Sequence, residues 1–169
     1  MRIRKSLYRR VSNRILHWIA RQVPGATSLR PFLHRLRGVR IRGSVFIGDE
    51  VYLDNEYPEC VELHDNVAIS MRVTIVAHTR GPGRVILEKD AFIGPNSVIC
   101  CRDGQVIRIG QGAVIGTGSV ITRNVPPHTM VAPSPTRPVA RVLTPLTEKT
   151  SMDDFLAGLM PLGKANKKS

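Results

Sequence analysis

The sequence predicts an all-β chain wound as a parallel β-helix, and three observations carry that prediction. Aliphatic residues recur at every sixth position: Ile41, Ile47 and Leu53, then Leu63, Ile69 and Ile75, then Leu87, Ile93 and Ile99, and finally Ile109, Ile115 and Ile121. A small or β-branched residue follows four places later, at Val45, Val51, Val67, Val73, Ala91, Ser97, Ala113, Ser119 and Val125. The openers also come in threes, separated by longer gaps from 53 to 63, 75 to 87 and 99 to 109. A period of six fits neither an amphipathic helix nor an alternating strand. It is the repeat of a hexapeptide β-helix.

Each group of three hexads forms one triangular coil, with a short strand on each side. The opener points to the prism axis and stacks on the opener of the next coil, so the coils share one aliphatic column that no single coil could bury alone. Gly or Asn near the corners tolerates the positive φ of a tight turn. The gaps between coils bulge outward, and loops of that kind carry function. A β-sandwich of short strands would show two-residue alternation and hairpin turns instead. Aromatics make up only 5% of the chain, as a core of stacked Ile, Leu and Val requires.

Ahead of the repeat, residues 1–38 read as a basic helical extension. Residues 1–42 hold twelve Lys or Arg and no acidic residue, although the whole chain carries 25 basic and 13 acidic residues. The body that follows is therefore neutral, and the charge of +12 belongs to an arm. Ile3, Leu7, Val11, Ile15, Trp18 and Ile19 recur at steps of three and four, a single helical stripe. Pro24-Gly25 ends that helix. Such a stripe either packs on the prism or a neighbouring subunit, or lies on an anionic membrane surface through residues 1–23. A second segment, Ser28 to Leu36, is expected to lid the first coil.

The repeat domain spans residues 39–141, and residues 142–169 form a C-terminal extension. Pro133, Pro135 and Pro138 end the ladder because proline lacks the N–H it needs. Ser151 and Asp154 predict a short helix from Asp153 to Met160, and the tail GKANKKS is expected to be disordered. No apolar run reaches the ~18 residues of a membrane span, and no secretory signal is legible. The expected location is the cytoplasm, with peripheral contact to the inner face of the membrane following from one of the two readings of the arm. Cys60, Cys100 and Cys101 show no metal-ligand spacing and read as packing thiols.

Of the five histidines, His78 is placed unlike the others. It lies in TIVAHTRGPGR, where the second coil leaves for the gap before Leu87. An imidazole at the mouth of such a loop suits a general base, its ordinary pKa being about 6.5. His17 and His34 are expected at the surface of the arm, His64 in a turn, and His128 near the end of the column.

The segments ILEKDAFIGPNSVI and RIGQGAVIGTGSVITRNVPPHTMVAPSPTR resemble the closing part of the hexapeptide-repeat acyltransferases. That group contains the maltose and galactoside O-acetyltransferases and the capsule-sugar O-acetyltransferases. IGTGSVITRNVPP is the most specific piece. The resemblance implies a left-handed β-helix, an exception to the usual crossover hand, and a homotrimer with acetyl-CoA in a groove between prisms. It implies that His78 takes a proton from the acceptor, which attacks the thioester directly. Asp54 and Asn55 would orient the acceptor; Pro95, Thr117, Thr122, Arg123 and Arg137 would line the CoA. The implied activity is acetyl-CoA-dependent O-acetylation of a sugar hydroxyl in polysaccharide biosynthesis, on a glycan or its lipid-linked precursor. Neither a metal nor a nucleic acid is expected. The chain departs from the family at Ala132–Thr136, where Gly-Asn-Pro-Ala is usual, and at Ile47, where an acceptor-contacting Asn is frequent.

Two other functions suit the same prism. The γ-carbonic anhydrases bind zinc through three histidines, but His64 and His78 have no third in phase. A non-catalytic trimeric scaffold with a basic arm would keep the fold and lack CoA binding.

Overall fold

The computed structural model describes residues 6–133, 140–144 and 151–161. The chain divides into two compact units, Met1–Pro133 and Ser134–Ser169. In the first, α1 (Leu7–Gln22) and α2 (Leu29–Arg37) precede four coils. The first coil holds β1 (Arg40–Ile41), β2 (Val45–Ile47) and β3 (Tyr52–Leu53). A 3-10 turn at Pro58–Cys60 leads to β4 (Val61–Leu63), β5 (Val67–Ile69) and β6 (Thr74–Thr79). The third has β7 (Arg84–Leu87), β8 (Phe92–Ile93) and β9 (Val98–Arg102); the fourth has β10 (Val106–Ile109), β11 (Val114–Ile115) and β12 (Val120–Ile121). β13 (Met130–Val131) ends the column.

Every coil gives one strand to each of three parallel sheets. Sheet A runs β1-β4-β7-β10, sheet B runs β13-β11-β8-β5-β2, and sheet C runs β12-β9-β6-β3. Hexad openers face hexad openers: Ile41, Leu63, Leu87 and Ile109 in A; Ile47, Ile69, Ile93 and Ile115 in B; Leu53, Ile75, Ile99 and Ile121 in C. All of them are buried except Ile41, which packs against the core half-covered. The fifth-place residues are buried too, and the polar ones are satisfied: Ser97 Oγ and Ser119 Oγ both donate to the Gly116 carbonyl, at 3.0 and 2.6 Å. Corners recur in the left-handed region, at Glu50, Arg72, Asn96 and Gly118 between B and C. Few side chains favour that conformation; Glu50 and Arg72 adopt it and pair across coils at 2.6 Å.

The helices close the first coil. Ser6 caps α1, and Gly38, at φ +105, ends α2. Arg30 fastens both to the prism: its guanidinium donates to the Val23 and Ile47 carbonyls, at 2.7 and 3.1 Å, and to Asp49. Ile3 of the apolar stripe lies outside the described residues and Ile19 is half-buried, while the rest of the stripe faces away from the prism. Leu7, Val11, Ile15 and Trp18 are exposed, whereas His17 and Ala20 on the other side are buried. His17 and His34, expected at the surface, are both buried between the helices and Tyr52; the rings of His17 and Tyr52 meet edge-on at 4.8 Å. The stripe misleads because the inward face of α1 is polar and small.

In the second unit, β14 (Ala140–Val142) pairs antiparallel with β15 (Leu159–Pro161), and α3 (Met152–Ala157) lies between them in sequence. Ser151 Oγ accepts from the Asp154 N–H at 3.1 Å, capping α3 as its spacing predicts. The helix stops three residues short of Met160, because Leu159 and Met160 pair in β15 instead. The tail GKANKKS lies outside the described residues.

Candidate active site

β6 leaves sheet C at the corner beside the gap that follows the second coil. Ile75 and Ala77 point inward and are fully buried, so Thr74, Val76 and His78 share the outward face. Directly below in register, Asp54 follows Leu53, the partner of Ile75. Its carboxylate is 0% exposed. Oδ1 accepts the N–H groups of Glu56 and Tyr57, at 3.0 and 2.8 Å, closing a tight turn on itself. Oδ2 accepts the Ala77 N–H at 2.7 Å and lies 2.5 Å from His78 Nδ1. With the carboxylate as acceptor, Nδ1 carries the proton and Nε2 keeps its lone pair. The His78 side chain is 28% exposed, with the ring of Tyr57 5.4 Å from its own.

A second layer holds Asp54 from behind. Arg37 is buried, and Nη2 donates to the carbonyls of Leu53 and Asp54, at 3.0 and 2.9 Å. Its Nε donates to Asn13 Oδ1 at 2.8 Å, and Nη1 to His34 Nδ1 at 2.9 Å. Asn13 in turn donates to the Asn55 carbonyl. Burial brings the Arg37 guanidinium down to about 10, against the pull of the Tyr52 and Asp54 charges, so it remains a cation at neutral pH. Burial, followed by the Arg37 charge, holds His17 and His34 down to about 3, leaving both rings neutral.

An open trough of about 500 Å³ runs along sheet C, lined by Arg21, Glu50, Tyr52, Arg72, Thr74 and Val76. Val76 is two residues from His78 on the same outward face, a separation of about 7 Å. The loop after His78 is short and braced. Gly83 N–H donates to the Ala77 carbonyl at 2.7 Å, and a Cβ on Gly81 would sit 2.3 Å from the Asp103 carboxylate of the next coil.

The sequence-predicted site residues are only partly gathered. His78 and Asp54 meet, but Asp54 stands behind the imidazole, closed off from any acceptor. Asn55 is half-buried and bound to Asn13. Thr122 is exposed in register with Cys100 and Val76 on sheet C, two coil rises from Val76, or about 10 Å. Arg123 is exposed beside it. Pro95 and Thr117 lie at the B–C corner, the opposite end of the sheet C strands from His78; the Gly118 N–H donates to the Pro95 carbonyl there at 2.9 Å. Arg137 lies outside the described residues. Sequence reasoning missed Arg37, Asn13 and Tyr57. A signal for Asp54 was present: the register Leu53 to Ile75 sets it one coil below the strand that carries His78.

No family model matches the chain. It is 31% identical over 150 residues to the serine acetyltransferase of Salmonella typhimurium, across 83% of this chain and 52% of that protein. The serine acetyltransferase of Escherichia coli K12 matches to the same extent. A 2,3,4,5-tetrahydropyridine-2,6-dicarboxylate N-acetyltransferase of Staphylococcus aureus is 40% identical over 53 residues, 31% of this chain and 20% of that one. Among solved structures, a maltose O-acetyltransferase from Clostridium difficile 630 aligns with a TM-score of 0.48 and 20% identity, over 78% of this chain and 84% of that one. The chain spans about half the length of the serine acetyltransferases it matches. In sequence, then, the chain is similar to acetyltransferases over most of its own length.

Proposed function

We propose that the chain is an acetyl-CoA-dependent O-acetyltransferase that acylates a hydroxyl of a sugar or glycan, with His78 as general base. The observation that carries this reading is the 2.5 Å contact between His78 Nδ1 and the buried Asp54 carboxylate, which assigns the ring proton to Nδ1 and leaves Nε2, on a side chain 28% exposed, as the proton acceptor. Nε2 takes the proton of the acceptor hydroxyl as its oxygen attacks the thioester carbonyl. The imidazolium, steadied by Asp54, then returns that proton to the departing thiolate. No covalent enzyme intermediate is needed. The relatives named as acetyltransferases support acetyl-CoA as donor. The trough beside Val76 has the size of a small-molecule site, and Tyr52 offers a ring against a sugar face.

The donor would lie along sheet C toward Thr122 and Arg123, with Arg suited to phosphate. Pro95 and Thr117 are remote from His78 within one chain, which favours a site completed by a neighbouring copy in a homotrimer. Sheet B supports such packing. Its outward column in register is Phe46, Ala68, Phe92, Val114 and Met130, with Phe46, Phe92 and Met130 exposed. A basic arm suits an acceptor presented at a membrane.

Transfer of label from acetyl-CoA to a panel of oligosaccharides, polysaccharide and free serine tests the reading. Saccharide labelling that disappears in His78→Ala, with CoA still raising the Tm of the variant, is the expected result. Labelling of serine alone would replace the acceptor and keep the base. Absence of both CoA stabilisation and transfer would favour the scaffold.

A further inference from the structure

α1 is amphipathic in the reverse of the usual sense. With 100° per residue, Leu7, Tyr8, Val11, Ile15 and Trp18 fall within an arc of about 100°. That arc is the exposed one: Leu7 is 75% accessible, Ile15 54% and Trp18 68%. The arc opposite, with Asn13, His17 and Ala20, faces the protein. The large apolar side chains of that arc therefore point away from the body, while Asn13 and His17 point toward it. Arg10, Arg14 and Arg21 border one flank of the apolar arc, and Arg9 lies behind it. α2 adds Leu29, Phe32 and Leu36, all exposed.

From this geometry we infer that α1 is an in-plane docking helix for an anionic lipid surface. Leu7, Val11, Ile15 and Trp18 enter the headgroup boundary, and Arg14, with Arg10 on the same flank, binds the lipid phosphates. Charge selects this occupant over a second copy of the same face. On α1 itself Arg9, Arg10 and Arg14 are exposed and no residue is acidic; Glu56 lies 3.9 Å from Arg10 and leaves the face net cationic, so two such faces placed together would repel. An anionic bilayer supplies both the opposite charge and an apolar layer under it. Trp18, with an apolar body and a polar N–H, suits that depth. The helix lies along the surface rather than through it, since no helix among the described residues is long and apolar enough to cross a membrane. The inference rests on helix faces alone and is independent of the acetyl acceptor.

Trp18 is the only tryptophan, so its emission reports this face directly. The full chain is mixed with vesicles of phosphatidylcholine containing about 30% phosphatidylglycerol, and with phosphatidylcholine alone. A blue shift and co-sedimentation are expected with the anionic vesicles and not with the neutral ones. The apparent affinity should fall at least about tenfold between roughly 0.05 and 0.5 M salt. Ile15→Asp and Arg14→Glu, both at exposed positions, should lose binding while Tm and acetyl transfer to a soluble acceptor stay unchanged. Equal response to both vesicle types, or no response at low salt, overturns the inference. So does a smaller oligomer for Ile15→Asp by light scattering, which would assign the face to another copy.

Discussion

In the proposed reaction Asp54 acts by what it is denied. Both of its oxygens are taken by backbone N–H groups and one imidazole, so it can orient a ring and stabilise its cation but cannot reach an acceptor. Asp54→Asn should therefore favour the wrong tautomer and lower kcat by about 10²–10⁴ with little change in KM for acetyl-CoA, measured by thiol release. The buried histidines make a separate prediction. Their folded pKa of about 3 lies below the ordinary 6.5, so only the unfolded chain binds protons between those values. Their stabilising effect is complete above pH 6.5 and declines as pH falls toward 3, by on the order of 2 kcal/mol for each ring at pH 5. His17→Leu should flatten the fall of Tm between pH 7 and 5. At this scale the sequence was legible where a residue's neighbours are local, as for His78 at the end of its strand. His17 and His34 were not, because their burial depends on how two helices lie on the coil.

The helical pair acts on the site as a brace. Arg37 joins α2 to the backbone of Leu53 and Asp54, and Asn13 joins α1 to Asn55. Arg37→Gln leaves buried carbonyls with fewer donors, and a loss of about 1–3 kcal/mol is expected, measured by urea unfolding. Its turnover should fall more than its affinity for CoA, since the variant loosens the ledge under the carboxylate. Arg37→Lys should restore little, because a point charge cannot reproduce the fork that binds two carbonyls and Asn13 together. The elements themselves were readable: Pro24-Gly25 ends α1, and the hexads set every strand from β1 to β12. What joins them was hidden, since a side chain that spans two elements leaves no period in a sequence. The polar inward face of α1 was hidden for the same reason; its stripe was found, but its direction was not.

Across the whole molecule, the opener columns form one continuous core, so damage in a central coil should spread. Ile93→Ala, at a fully buried position between Ile69 and Ile115, should cost about 2–5 kcal/mol and lower the single unfolding midpoint rather than create a second one. Sheet B offers the complementary test at the surface: Phe92→Lys should leave the fold intact and reduce the assembly mass in light scattering if the exposed column is a subunit contact. The repeat was legible because identical positions are forced to stack, and the gaps were legible as interruptions of it. The gap after His78 has its own consequence. Ile75 and Leu87 are 12 residues apart, whereas the other two gaps measure 10, and the surplus sits in the turn braced on Asp103. Since the strands on either side keep their partners whatever lies between, the reach of that turn can change by insertion or deletion without disturbing the scaffold. Under the proposed function, the surroundings of the imidazole and the integrity of the stack are thus open to separate change: one bend can be edited while the coils beneath keep every partner.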